Sequence, residues 1–361
     1  MSKTLVPAAV ILASLVLYLL LWPVPVDPVS WNAPVSLGLV DPFGINNQLR
    51  RTRLIDLGDY SGPEDVAIGP DGLLYVTSDE GVVLRIQKSG AVSVFAETGG
   101  RPLGIEFDAD GSLIVANAYL GVQRIAQDGS VEILFNAVNG RVLVYADDIA
   151  IARDGTMYVS EASTKFGAQQ YGGTYAASLL DILEHGGHGQ VIEYHPDTGL
   201  TRVLVDNLNM ANGVAISDDQ DYLLIAETGS YRILKHWLRG PKVGNTEVLI
   251  DNLPGFPDNI NNGINGRFWI GLVAPRNDLL DKLSNNPRMR KIVQRLPARF
   301  RPRAEPSSHV IAINGDGEVL MNLQDPNAKV PSLTGVLETR DKLYLTTLFG
   351  NQLPTLNKED L

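Results

Sequence analysis

One phrase recurs six times along the chain, and it leaves few folds open. An acidic or Asn residue sits beside an apolar pair, a D-G-type turn follows, and a short β-rich run closes the unit. It reads GPEDVAIGPDGLLYVTS from Gly62, LGIEFDADGSLIVAN from Leu103 and ADDIAIARDGTMYVSE from Ala146. It returns as ANGVAISDDQDYLLIAET from Ala211, PDNINNGINGRFWIGL from Pro257 and TGVLETRDKLYLTTL from Thr334. A period of about 40 residues with several strands per unit is the pattern of a propeller. Apolar and polar residues alternate within each unit, as in Leu74-Tyr75-Val76-Thr77, and D-G pairs such as Asp71-Gly72 and Asp154-Gly155 mark the hairpins. Six units fill the chain from about Arg51 to its end. Thr52 to Leu57 precedes the first phrase, so it is placed to give a strand to the last blade and close the ring, which removes exposed sheet edges.

Two insertions break the period. Residues 164–189 contain a helical stretch from about Tyr175 to His185. Residues 275–303 carry Leu279, Leu280, Leu283, Met289, Ile292, Val293 and Leu296 at helical spacing. Insertions on one face of a propeller commonly form a binding rim. The second one reads as a solvated amphipathic helix, a lid over the channel or a contact with anionic headgroups. The formal charge is −11, but residues 276–303 hold nine Lys/Arg against Asp278 and Asp281, so the rest of the chain is strongly acidic. That balance argues against nucleic acid as a partner. Cysteine is absent, which excludes disulfides and thiolate chemistry.

Leu5 to Trp22 is an uncharged apolar run of bilayer-spanning length that ends at the prolines of WPVPVDPVSW. A retained anchor over 1–22 is the expectation, with a cleaved signal peptide as rival. Lys3 and the start amine place the amino terminus in the cytoplasm and the body outside it, a single-pass membrane arrangement. Residues 23–50, rich in Pro and Asn, read as a tether, and 51–361 as the propeller. The fold expected is all-β, a six-bladed β-propeller with an N-terminal transmembrane helix and helical insertions on one face.

The residues that open the phrases, Glu64, Asp147, Asn212 and Asp258, converge on one end of a propeller channel. Like charges held close together need a cation to stay ionised. An all-oxygen set suits a hard ion such as Ca²⁺ better than Zn²⁺, and Asn259 is placed to add a ligand. The plainer role for the same residues is capping turns or bonding neighbouring blades.

Several long runs then narrow the reading: SGPEDVAI, ADDIAIARDGTMYVSEASTKF, GQVIEYHPDTGLTRVLVDNLNMANGVAIS and LPGFPDNINNGINGRFWIGLVAPRN. In these the chain resembles the strictosidine synthase-like branch of six-bladed calcium-dependent propellers, related more distantly to paraoxonases and gluconolactonases. The resemblance implies a catalytic Ca²⁺ at the channel top, held by Glu64, Asn212 and Asp258 with Asn259. It also implies that Asp258 acts as general base or nucleophile. Asp147 stands where the family pattern has Asn, an added carboxylate that favours cation binding and weakens the ion as a Lewis acid. The activity expected is calcium-dependent hydrolysis of a small ester or lactone. A membrane-tethered binding protein with a structural cation is the alternative, and amine–aldehyde condensation a more remote one. His185 and His188 in EHGGHG are rival bases, and Glu161 is a further candidate for the channel wall. Arg232 is expected to pair with Glu227 between blades.

Overall fold

The structure, a computed structural model, describes the backbone from Leu5 to Leu361 and side chains from Val10 onward. Six four-stranded antiparallel sheets follow one another around a ring. The inner strands of blades 1 to 6 are Val66–Ile68, Pro102–Phe107, Ala146–Ile151, Ala211–Ile216, Gly255–Asn262 and Leu333–Glu338. Blade 6 takes its outermost strand from Arg53–Asp56, which pairs with Gln352–Asn357, so the ring closes as expected.

Burial follows position in the blade. Ala211–Ile216 is buried at every residue because neighbouring blades cover both faces, whereas the outer strand Val131–Phe135 is mostly open. Trp269, in the second strand of blade 5, is wholly buried and donates its indole N–H to Glu338 Oε2 of blade 6 at 2.9 Å.

Each seam between blades is also stitched by an inner-strand side chain. Asp65 accepts Ile105 N, Glu106 accepts Ile151 N and Asp148 accepts Val214 N, at 2.8–2.9 Å. Asn262 Nδ2 donates to Ile216 O, Asn261 accepts Val336 N, and Thr334 Oγ1 donates to Glu64 O across the closing seam. These bonds satisfy backbone groups that the sheets leave unpaired at the channel.

Among the described residues four α-helices stand outside the blades: α1 (Leu5–Leu21), α2 (Thr174–Glu184), α3 (Asp278–Lys282) and α4 (Pro287–Arg295). α2 joins the second and third strands of blade 3, and α3–α4 join the same two strands of blade 5. In an antiparallel blade the second strand ends where the first begins, so both insertions lie over the end where the inner strands start. α3 and α4 split because Asn277 and Asn286 each turn a side-chain oxygen back to cap a new helix.

Among the described residues no helix is long and apolar enough to cross a membrane. α1 has 17 residues, about 25 Å, against the ~30 Å of a hydrocarbon core. The spanning anchor expected from the sequence is therefore corrected to a shorter apolar helix; the charges at Lys3 and the start amine lie outside the described residues. The Pro/Asn-rich stretch does not hang free. Val29 N and Trp31 N donate to Glu184 O and Ser284 O, Asn252 Nδ2 donates to Val35 O, and Gln324 N donates to Asn46 Oδ1. The segment straps the helices down and then descends the flank of blade 5.

Candidate functional site

Inner strands 2 to 6 share a defect. Pairing with the second strand slips at Pro102/Ile105, Ala146/Ile149, Ala211/Val214, Pro257/Ile260 and Leu333/Val336. These bulges fall on the residues that open the repeated phrase, and a bulge re-aims the side chains it carries. In blade 3 it splits the acidic doublet, sending Asp147 to the channel mouth and Asp148 to the next blade. In blade 1, whose strands pair in continuous register, Glu64 reaches the mouth and Asp65 accepts from blade 2, and Asp258 of blade 5 joins them at the mouth. Gly213 completes the bulge in blade 4, where a Cβ would run into the backbone of Asn259 and Ile260. Gly213→Ala is expected to cost about 1–3 kcal/mol of stability, read by urea unfolding.

The mouth is a cavity of about 400 Å³. Its floor holds Glu64, Asp147, Asn212 and Asp258 together with Tyr145, and Asn259 lies directly behind. All five predicted side chains are at most 5% exposed. Asn259 Nδ2 donates to Glu64 Oε1 at 2.9 Å and Asn212 Nδ2 donates to Asp258 Oδ1. Four oxygens are left over. Glu64 Oε2, Asn212 Oδ1, Asp258 Oδ2 and Asn259 Oδ1 are buried without a hydrogen-bond partner. Such groups ordinarily find one.

Charge compounds the strain. Burial, then Asp258 and Asp147, push the Glu64 carboxyl well above its ordinary range. Burial followed by Asp258 does the same to Asp147, and burial lifts Asp258 to about 7. Arg101 is the nearby cation, committed to Gly62 O and to Asp79 at 3.0 Å. Among the described residues no three Asp, Glu or His side chains are close enough to hold a metal by themselves. A cation here needs the two Asn carbonyls, which are the unpartnered ones.

The walls are apolar and come from the roof. α2 supplies Leu179 and Leu183, α3 supplies Leu280, and α4 supplies Val293. Tyr145 OH donates to Thr174 O at 3.0 Å, fixing the start of α2 against the floor. Arg301 and Arg303 line the rim.

Other sequence candidates lie elsewhere. His185 stacks on Trp31 with centroids 3.9 Å apart, and burial pushes it down to about 3. His188 Nε2 is held by Glu184 Oε1 at 2.7 Å. Glu161 is locked by Arg141, Gln190 and Val144 N. None of the three lines the cavity. Arg232 does pair with Glu227. Tyr145 and Arg101 were missed from the sequence, since neither falls on the recurring acidic position: both stand two residues before it in their blades, where Leu103 of blade 2 replaces the acid.

Asp181 on α2 is wholly buried beneath the roof with both oxygens unpartnered, near His188 and Glu184, and burial lifts it to about 7. A carboxyl lifted in the folded state costs stability progressively as pH rises from its ordinary range through that value. Asp181→Asn is expected to raise the melting temperature at pH 8 and change it little at pH 4, read by calorimetry.

Ring order, closure and the roofed mouth define a six-bladed propeller with a polar, cavity-forming channel end. The sequence places it further. The strictosidine synthase family matches residues 147–241, and the strictosidine synthase-like N-terminal family matches 41–86. Protein strictosidine synthase-like 6 of Arabidopsis thaliana is 31% identical over 331 residues, covering 89% of this chain and 86% of that one. Adipocyte plasma membrane-associated protein of Salmo salar is 31% identical over 357 residues, covering 91% and 82%. The chain belongs to the strictosidine synthase-like family. In fold it is similar to a gluconolactonase from Xanthomonas campestris, with TM-score 0.62 at 20% identity, covering 93% of this chain and 99% of that one. It is also similar to regucalcin, a calcium-binding protein from Agrobacterium tumefaciens, with TM-score 0.58 at 13% identity, covering 84% and 92%.

Proposed function

We propose that the chain is a calcium-dependent hydrolase of esters or lactones that works at a membrane surface. The observation that carries this is the set of four buried, unpartnered oxygens on Glu64, Asn212, Asp258 and Asn259, next to the Asp147 carboxylate, at the floor of an apolar cavity. Carboxylate and carboxamide oxygens are the donors calcium prefers. The bound ion would supply polarisation of a carbonyl oxygen and neutralise the floor. Relatives named for a membrane, for gluconolactone and for calcium lend the reading support.

The residues divide the work by position. Asp258 keeps one oxygen on Asn212 and has the other open to the ion and to a water beside it, the arrangement in which a ligating carboxylate takes a proton from an attacking water and returns it. Glu64 shares this arrangement, and the family resemblance favours Asp258 for the role. Asn259 holds the Glu64 carboxylate in place, and Tyr145 keeps the roof closed over the floor. The apolar walls exclude bulk water and favour an uncharged acyl group.

A structural cation in a non-catalytic binding protein remains the second reading, favoured by Asp147: a third carboxylate holds an ion more tightly and polarises substrate less. Hydrolysis of phenyl acetate and simple lactones, with calcium titrated into chelated protein, separates them. Calcium-dependent turnover that falls at least about 100-fold in Asp258→Asn, with the β-sheet circular dichroism of the folded protein retained, is the expected result. Stabilisation by calcium without turnover of any substrate assigns the binding role instead.

A further inference from the structure

α4 faces two ways. Val293 and Gln294 line the cavity, while Arg295 reaches α1, its guanidinium donating to Leu19 O at 3.1 Å and to Trp22 O. Tyr18 OH donates back to Arg295 O at 3.1 Å. Arg295 thus caps the carbonyl end of α1, the end a cation favours, and Trp22 continues directly into the strap over α2 and α3.

α1 leaves its apolar surface uncovered: Ile11, Leu12, Leu15, Leu17, Leu20 and Leu21 are each more than half exposed. Exposure of this extent calls for a covering surface. The roof beside it adds exposed Met289 and Phe300 among exposed Lys282, Arg288, Arg299 and Arg303, on a chain that is otherwise acidic. Apolar side chains interleaved with Lys and Arg match a bilayer carrying anionic lipid, which accepts both at its interface. α1 is apolar around its whole circumference, so hydrocarbon suits its open faces better than water does.

We propose that a bilayer containing anionic lipid seats on α1 and the α3–α4 roof together, and that the cavity takes its ester or lactone from that bilayer as a long-chain acyl compound. This rests on the hydrolase reading for the reaction, but not for the docking. The acyl chain lies against Leu179, Leu183 and Val293, the carbonyl reaches the acidic floor, and Arg301 and Arg303 stand where the cavity meets the headgroups.

The full chain would be mixed with phosphatidylcholine vesicles, with and without phosphatidylserine, and followed by flotation and hydrogen exchange. With phosphatidylserine, exchange is expected to slow in residues 278–303 as well as in α1. Vesicles carrying N-methyl dodecanamide should slow it further in 174–184, whereas N-methyl acetamide should not. Arg295→Met should keep phenyl acetate turnover and lose roof protection. Arg288→Glu with Arg299→Glu should lower vesicle binding, a check independent of the Arg295 contact. The kcat/KM for 4-nitrophenyl esters is expected to rise by about fourfold per added methylene until the cavity is filled.

Flotation through α1 alone, with exchange in 278–303 unchanged, overturns the docking. So does a stable dimer that buries α1 and ignores vesicles. Equal effects of the dodecyl and acetyl amides overturn the acyl claim. Absence of turnover on every ester, with the exchange effects present, refutes the hydrolase reading and leaves the docking and acyl chemistry supported.

Discussion

Chelating calcium from the full chain is expected to lower its melting temperature much more at pH 8 than at pH 5. Without a cation, burial and mutual repulsion hold Glu64 and Asp147 well above the ordinary carboxylate range and Asp258 at about 7. Carboxyls lifted in the folded state bind protons that the unfolded chain has released, so folding stability drains as pH rises from about 4 through about 7. At pH 5 protons stand in for the cation, and at pH 8 nothing does. A bound ion reverses the order, because it requires the deprotonated groups. At a hundredfold excess over its dissociation constant it contributes about 2.7 kcal/mol, roughly 5 °C for a domain of this size. Asp147→Asn should shrink the pH dependence and weaken the ion by removing one of three charges. Equal melting with and without chelator at pH 8 refutes a cation at this floor.

Replacing Arg290 with Met is expected to loosen the whole roof, at a cost of about 3–5 kcal/mol. Arg290 is 1% exposed, yet among the described residues no carboxylate pairs with it. Its guanidinium donates to Leu183 O at 2.8 Å, to Ser284 O at 3.0 Å, and to Glu184 O and Val29 O. It therefore ties together the carbonyl end of α2, the turn between α3 and α4, and the strap, adding to the backbone bonds from Val29 and Trp31 that already join them. Burial brings its pKa down to about 10, still fully charged at neutral pH, so the bonds persist. Met fills similar volume and removes every donor, so Leu183 O and Val29 O lose theirs, while Glu184 O and Ser284 O keep the backbone N–H groups of Val29 and Trp31. Limited proteolysis should then cut between residues 276 and 303 while the blades stay intact. Ester turnover should fall with it, since α2 and α4 wall the cavity. Unchanged protease resistance would mean the strap and apolar contacts suffice.

Much of this architecture was legible in the repeats. A phrase recurring six times, each with strand alternation and hairpin turns, dictates six antiparallel blades, because alternation is a local property of the backbone. Thr52–Leu57 could be assigned to the last blade on the same grounds. The acids of the floor were legible as well: identical positions in identical blades must arrive at the same end of the ring.

Three things were not. The doublets Glu64-Asp65 and Asp147-Asp148 carry two like residues, and the backbone N–H of the neighbouring blade, with the bulge in the case of Asp147-Asp148, determines which one faces the cavity and which accepts the bond. The strap reads as a loose tether by composition, and its order comes from carbonyls and N–H groups on helices far away in sequence. The apolar run at the start reads as a membrane span, and its end at the prolines is local, but the grip of Arg295 on its last turn joins residues 273 apart. Periodicity alone thus determined the fold class, the blade count and the ring of oxygen donors. The roof, the cavity and the division of labour within each acidic pair were decided in the tertiary structure, because hydrogen-bond partners between distant segments leave no local period to read.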